Sequence, residues 1–141
     1  MDRWVIYAGV SAVFAGVTAV LAKHGLEGIP SQLALAVRTV FLLGMTLAVA
    51  WVTVPLAEWG QITWHNHLWL GISAATTTAS WVFYYLALKG GDVGTVALID
   101  KGSFVVAVLM GWVVLREEFS WRVAAGAAII LAGVIVAGWK R

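Results

Sequence analysis

Apolar positions along the chain fall in long unbroken runs. They show neither the alternation of a half-buried strand nor the one-sided stripe of a surface helix. Five runs are each long enough to cross the roughly 30 Å apolar layer of a bilayer, which takes about 20 helical residues. They cover about 4–22, 32–54, 67–88, 93–115 and 121–139. Chain-breaking residues separate them: Gly25 and Gly28-Ile29-Pro30 after the first run, Pro55 after the second, Gly90-Gly91 after the third. Asp92 and Ser120 stand where the N-caps of the fourth and fifth helices would fall. All connections are short except the one from Pro55 to Asn66. The pattern predicts an all-α integral membrane protein with a single transmembrane domain of five spans over residues 1–141. The first run reads as a retained span. It is longer than the apolar core of a cleaved signal segment, and its basic flank is a single Arg3 beside Asp2.

Composition agrees. Hydrophobic residues make up 62% of the 141 and charged residues 11%, against about 45–50% and about 25% in soluble domains. So much apolar surface cannot be hidden inside a water-soluble chain of this length, and disorder is excluded with it. There is no cysteine, hence no disulfide and no thiolate ligand or nucleophile. The formal net charge of +2 is scattered, which leaves no electrostatic footprint for nucleic acid. His65 and His67 read as solvated residues of a loop that also holds Glu58 and Asn66, and Glu117-Glu118 as a solvated corner. No nucleophile–base set or metal-ligand spacing is present, so neither an enzyme nor a cofactor or metal site is expected.

Charges inside the membrane are costly and mark function by default. Three fall deep inside the runs, away from their ends: Arg38 in the second, Asp100 and Lys101 in the fourth. Both runs start from the face opposite the N-terminus, so at 1.5 Å per residue Arg38 and Asp100 lie about 10 Å inside that face. Trp81 in the third run reaches the same depth, with Tyr84 and Tyr85 about a turn nearer the surface. Two readings stand. Arg38 and Asp100 neutralise each other while Lys101 snorkels outward, or the layer lines a solvated cavity for a polar ligand. In the second reading Arg38, Lys101, Trp81, Tyr84 and Tyr85 bind substrate. Asp100, the sole acid within a run, carries a coupling proton or orients Arg38. Thr76, Thr77, Thr78 and Ser80 read as groups bonding their own helix carbonyls.

Two further patterns concern assembly. Small residues recur every four positions in the first and fifth runs, which lets helices approach closely in lipid. Ala124, Ala128, Ala132 and Gly133 of the fifth are the expected dimer contact. Lys and Arg are balanced across the membrane. The N-terminal face holds Arg3, Arg116 and Arg122; the opposite face holds Lys23, Lys89, Lys140 and Arg141. Such a balance does not fix one orientation, so insertion both ways up is expected. Tryptophan is lopsided: Trp4, Trp51, Trp59, Trp64, Trp69, Trp112 and Trp121 lie near the N-terminal face as interface anchors.

The order of these features resembles the EamA family of the drug/metabolite transporter superfamily. The matching residues are Leu115-Arg116-Glu117-Glu118 followed by Leu131-Ala132-Gly133-Val134, the 81–85 stretch, Leu86-Ala87-Leu88 before Gly90-Gly91-Asp92, Ala97-Leu98-Ile99-Asp100-Lys101, and Arg38-Thr39. The resemblance implies a small-metabolite transporter in a bacterial inner membrane, and most such transporters carry two inverted five-span units. One unit is present, so the resemblance implies half of a ten-helix inverted-repeat transporter, completed by an antiparallel homodimer or by a different chain. A non-transporting structural or regulatory subunit is the alternative. The related four-span multidrug exporters carry an acid in span one, and none occurs there in this sequence.

Overall fold

The computed structural model describes residues 3–118 and 120–139. Among these the chain is helical throughout. The helices are α1 (Arg3–Gly25), α2 (Ser31–Thr53), α3 (Trp64–Gly90), α4 (Val93–Asp100), α5 (Ser103–Val114) and α6 (Trp121–Gly138), with a short 3₁₀ helix over Leu56–Gln61. By length and composition α1, α2, the 93–114 segment and α6 can each cross a bilayer. The protein is therefore a multi-pass membrane protein. α3 is long enough at 27 residues. Its apolar character is diluted by Thr76, Thr77, Thr78, Ser80, Trp81, Tyr84 and Tyr85.

The fourth run departs from expectation. In place of one continuous helix it is two, α4 and α5, parted at Lys101-Gly102. Both residues keep helical dihedrals, but the bonding tightens to the three-residue reach of a 3₁₀ turn. Gly102 N–H donates to the Ile99 carbonyl at 2.9 Å, Phe104 to Lys101 at 3.1 Å and Val105 to Gly102 at 3.1 Å. A β-carbon on Gly102 would meet the Ile99 carbonyl at 3.0 Å and Val134 Cγ2 at 3.7 Å. The bare α-carbon thus admits both the tight turn and the α6 side chain.

The chain divides into two compact units, 22–89 and residues 1–21 with 90–141. In the first, Gly28 takes the left-handed backbone that turns the chain from α1 into α2 (φ +76°). Pro30 then sets the extended entry, and its carbonyl accepts the Ala34 N–H at 3.1 Å. α3 starts three residues ahead of expectation because Thr63 and Asn66 cap it reciprocally. Thr63 N–H donates to Asn66 Oδ1 (3.0 Å) and Asn66 N–H to Thr63 Oγ1 (3.3 Å). In the second unit α4 and α5 both pack on α6. Asp92 and Ser120 hold the N-cap positions with extended backbone, but neither side chain bonds the helix it precedes. α5 ends where Arg116 takes a left-handed conformation (φ 56°), which returns the Glu117 N–H to the Gly111 carbonyl at 3.2 Å.

Candidate functional site

On α2 the residues Ser31, Ala34, Leu35 and Arg38 lie at i, i+3, i+4 and i+7, which is one helix face. On α3 Trp81, Tyr85 and Leu88 lie at i, i+4 and i+7, again one face. These faces meet. Ser31, Ala34, Leu35, Tyr85 and Leu88 are buried, Leu88 completely. Tyr85 is only 3% exposed. Two lysines fasten the membrane-surface end of this contact. Lys23 Nζ donates to the Leu88 carbonyl, and Lys89 Nζ donates to the Ile29 carbonyl at 3.1 Å. Cations at the last turn of α3 satisfy chain carbonyls and complement the helix dipole.

Seven residues further along the α2 face stands Arg38, about 10 Å from the helix start. Its guanidinium carbon lies 4.5 Å from the Trp81 ring centroid and 6.0 Å from that of Tyr85. Both rings attract a cation through their faces. Tyr84 stands beside Tyr85 edge-on, centroids 6.4 Å apart. The two acids of this unit lie elsewhere: Glu27 pairs with His24 at 3.2 Å, and Glu58 belongs to the 3₁₀ segment. Within its unit Arg38 is therefore held by aromatic rings and has no carboxylate at ion-pair distance among the described residues.

The structure thus brings together four of the expected site residues, Arg38, Trp81, Tyr84 and Tyr85. Asp100 and Lys101 belong to the other unit. Asp100 is the last residue of α4 and Lys101 opens the tight turn. Lys101 Nζ lies 5.4 Å from the ring of Phe104, one turn along the same segment. Both residues are partly buried. Gly102, which the sequence reading passed over, makes the turn; the signal was a glycine directly after the two charges of an otherwise apolar run.

Among the other polar residues, His65 and His67 lie inside α3 and not in the loop expected for them, because the helix starts at Trp64. Thr76 and Thr78 hydroxyls donate to the Ser73 and Ala74 carbonyls of their own helix (2.8 and 2.9 Å), as does Thr39 to Leu35 (2.8 Å). His65 Nε2 accepts the Trp69 indole N–H at 2.9 Å. Among the described residues no three His, Cys, Asp or Glu side chains cluster as a metal site. Ala124 and Ala128, expected at a dimer contact, line a groove of about 220 Å³ between α5 and α6 with Val105, Leu109, Trp112 and Leu131. Gly133 of the same helix has no atom within 4 Å of where a side chain would start.

Comparison with known proteins adds a family. The profile of the EamA-like transporter family matches residues 2–139. A relative from Sinorhizobium sp, named an uncharacterized transporter in the cobO 3' region, is 37% identical over 135 residues, 96% of both chains. Relatives from Salmonella paratyphi B and Salmonella typhimurium are named probable 4-amino-4-deoxy-L-arabinose-phosphoundecaprenol flippase subunit ArnE. Each is 29% identical over 104 residues, 74% of this chain and 93% of the relative. No solved structure matches the chain.

Proposed function

The chain belongs to the EamA-like transporter family, and from that premise we propose that it is one half of a transporter for a small metabolite bearing an anionic group. The observation that carries the reading is Arg38: a permanent cation deep in an apolar helix, held on the rings of Trp81 and Tyr85 and left without a carboxylate in its unit. An intramembrane charge is retained at a cost of about 3 kcal/mol or more, which a substrate contact justifies. In this reading all five runs cross the bilayer, α3 included, because its polar face turns toward the cavity. Two copies assemble antiparallel in the cell membrane, and each supplies one such cation to a central cavity that opens alternately to the two faces. Asp100 serves as coupling group or as the orienter of the cationic site.

A second reading has support of its own. The Salmonella relatives are named subunits, which favours a half-transporter paired with a different chain. Their named cargo carries a phosphate, an anion that Arg38 is suited to hold. Crosslinking of purified protein separates the readings: a homodimer forms from this chain alone, a heteromer does not.

Reconstitution in liposomes tests the function. Uptake or counterflow of the transported metabolite is expected to fall at least tenfold in Arg38→Ala and to lose its dependence on a proton gradient in Asp100→Asn. Parental transport in both variants would sink the assignment of these two residues.

A further inference from the structure

We propose that Arg38 recognises its anion edge-on, as a fork selective for an oxyanion with two coplanar oxygens, a carboxylate or a phosphate, and that Trp81 is the positioning residue that aims the fork. The inference rests on the transporter reading for its substrate and goes beyond it in naming the geometry recognised. A guanidinium is planar, and its five N–H donors lie in that plane. The Trp81 ring lies 4.5 Å and the Tyr85 ring 6.0 Å from the guanidinium carbon, and both belong to α3, so the rings cover one side of the cation. A donor edge turned away from these rings is left for a ligand. Such an edge fits two oxygens held in one plane and gains little from a spherical halide of the same charge. Lys101, the other basic residue deep within a run, offers a point charge beside Phe104 and has no fork.

The aim of the fork is fixed from behind. Tyr85 is 3% exposed and Leu88 wholly buried, so α3 cannot turn without opening the packed face. Trp81 lies one turn along that same face. Arg38 is thus gripped by a helix that is itself anchored, at Lys89 by the 3.1 Å bond to the Ile29 carbonyl. An unheld arginine spreads over many rotamers, and its fork is lost to that freedom.

The oxyanion could be carried by a soluble metabolite or by a lipid headgroup, and the test separates the two. Thermal midpoints of the purified full chain in detergent are titrated with inorganic phosphate, acetate and chloride. A parallel arm uses phosphatidic acid in mixed micelles against the same micelles without it. The parent is expected to prefer phosphate and acetate over chloride, or to respond to phosphatidic acid where the source is lipid. Arg38→Lys keeps the charge and should lower that preference about tenfold. Trp81→Leu should lower it comparably, and Trp81→Phe, which restores a ring face, should recover it. Equal response to chloride, no response in any arm, or an unchanged preference in Arg38→Lys and Trp81→Leu overturns the proposal. The readout is independent of transport. Selectivity without uptake would strike the transporter reading alone, and uptake without selectivity would strike the fork alone.

Discussion

At the scale of single residues the membrane inverts the usual significance of exposure. Val52 is 83% exposed and Phe41 64%, yet in lipid neither is out of place. The informative residues are the few buried ones, because close contact in a bilayer comes from packing and not from escape from water. Among the described residues Leu88 is the one side chain buried completely, on the α3 face that carries Trp81 and Tyr85. Leu88→Ala is expected to cost about 2 kcal/mol, the low end for a core truncation, since the transfer from water is absent and the cavity remains. Val52→Ala should stay within about 0.5 kcal/mol. Unfolding midpoints in detergent check the pair, and equal effects would show that the α2–α3 face is not packed in solution. That Arg38 and Trp81 share a depth, with the two tyrosines about a turn nearer the surface, was legible in the sequence from helix rise alone. That Arg38 rests on the rings was not, since depth says nothing about which helix faces meet.

At the scale of elements, hydropathy located the helices to within a few residues and erred where side chains set the ends. The Thr63–Asn66 bonds start α3 early, and no apolar pattern encodes a cap of two polar residues. The break in the fourth run was hidden for another reason. Lys101-Gly102 sits inside a continuous apolar run, and a change from four-residue to three-residue bonding leaves no trace in periodicity. Glycine decides it. At Gly102 a side chain meets a backbone carbonyl at 3.0 Å and α6 at 3.7 Å. At Gly111 it meets Glu117 Oε2 at 2.7 Å, the free end of a side chain that can swing away. Gly102→Leu should therefore destabilise by about 1–3 kcal/mol, while Gly111→Ala stays within about 0.5 kcal/mol. Denaturation of the two variants in detergent is the check, and a silent Gly102→Leu would mean that α4 and α5 are not seated on α6.

At the scale of the whole molecule, charge balance and small residues bear on the antiparallel pairing proposed above. In the proposed five-span arrangement, Arg3, Arg116 and Arg122 on one face nearly balance Lys23, Lys89, Lys140 and Arg141 on the other. Two or three added lysines on either face should therefore force a single orientation. Reporter fusions at Arg141 read this, and a parent protein found in one orientation only would remove the antiparallel homodimer. The small residues of α6 carry the sharper test, because they divide by what surrounds them. Ala124 and Ala128 border the groove against α5, so enlarging either disturbs the chain's own fold as well as any partner. Gly133 has nothing within 4 Å of its would-be β-carbon. A β-carbon there meets no neighbouring element of the same chain, and helix propensity favours leucine by about 0.8 kcal/mol or more over glycine. A monomer would gain stability from Gly133→Leu. A dimer joined along α6 would lose its close approach, and its association should weaken at least tenfold, about 1.4 kcal/mol. Crosslinking yield across a dilution series in mild detergent, read beside the unfolding midpoint, tests both sides. A raised midpoint with weakened association places α6 at the interface; a raised midpoint with unchanged association removes it.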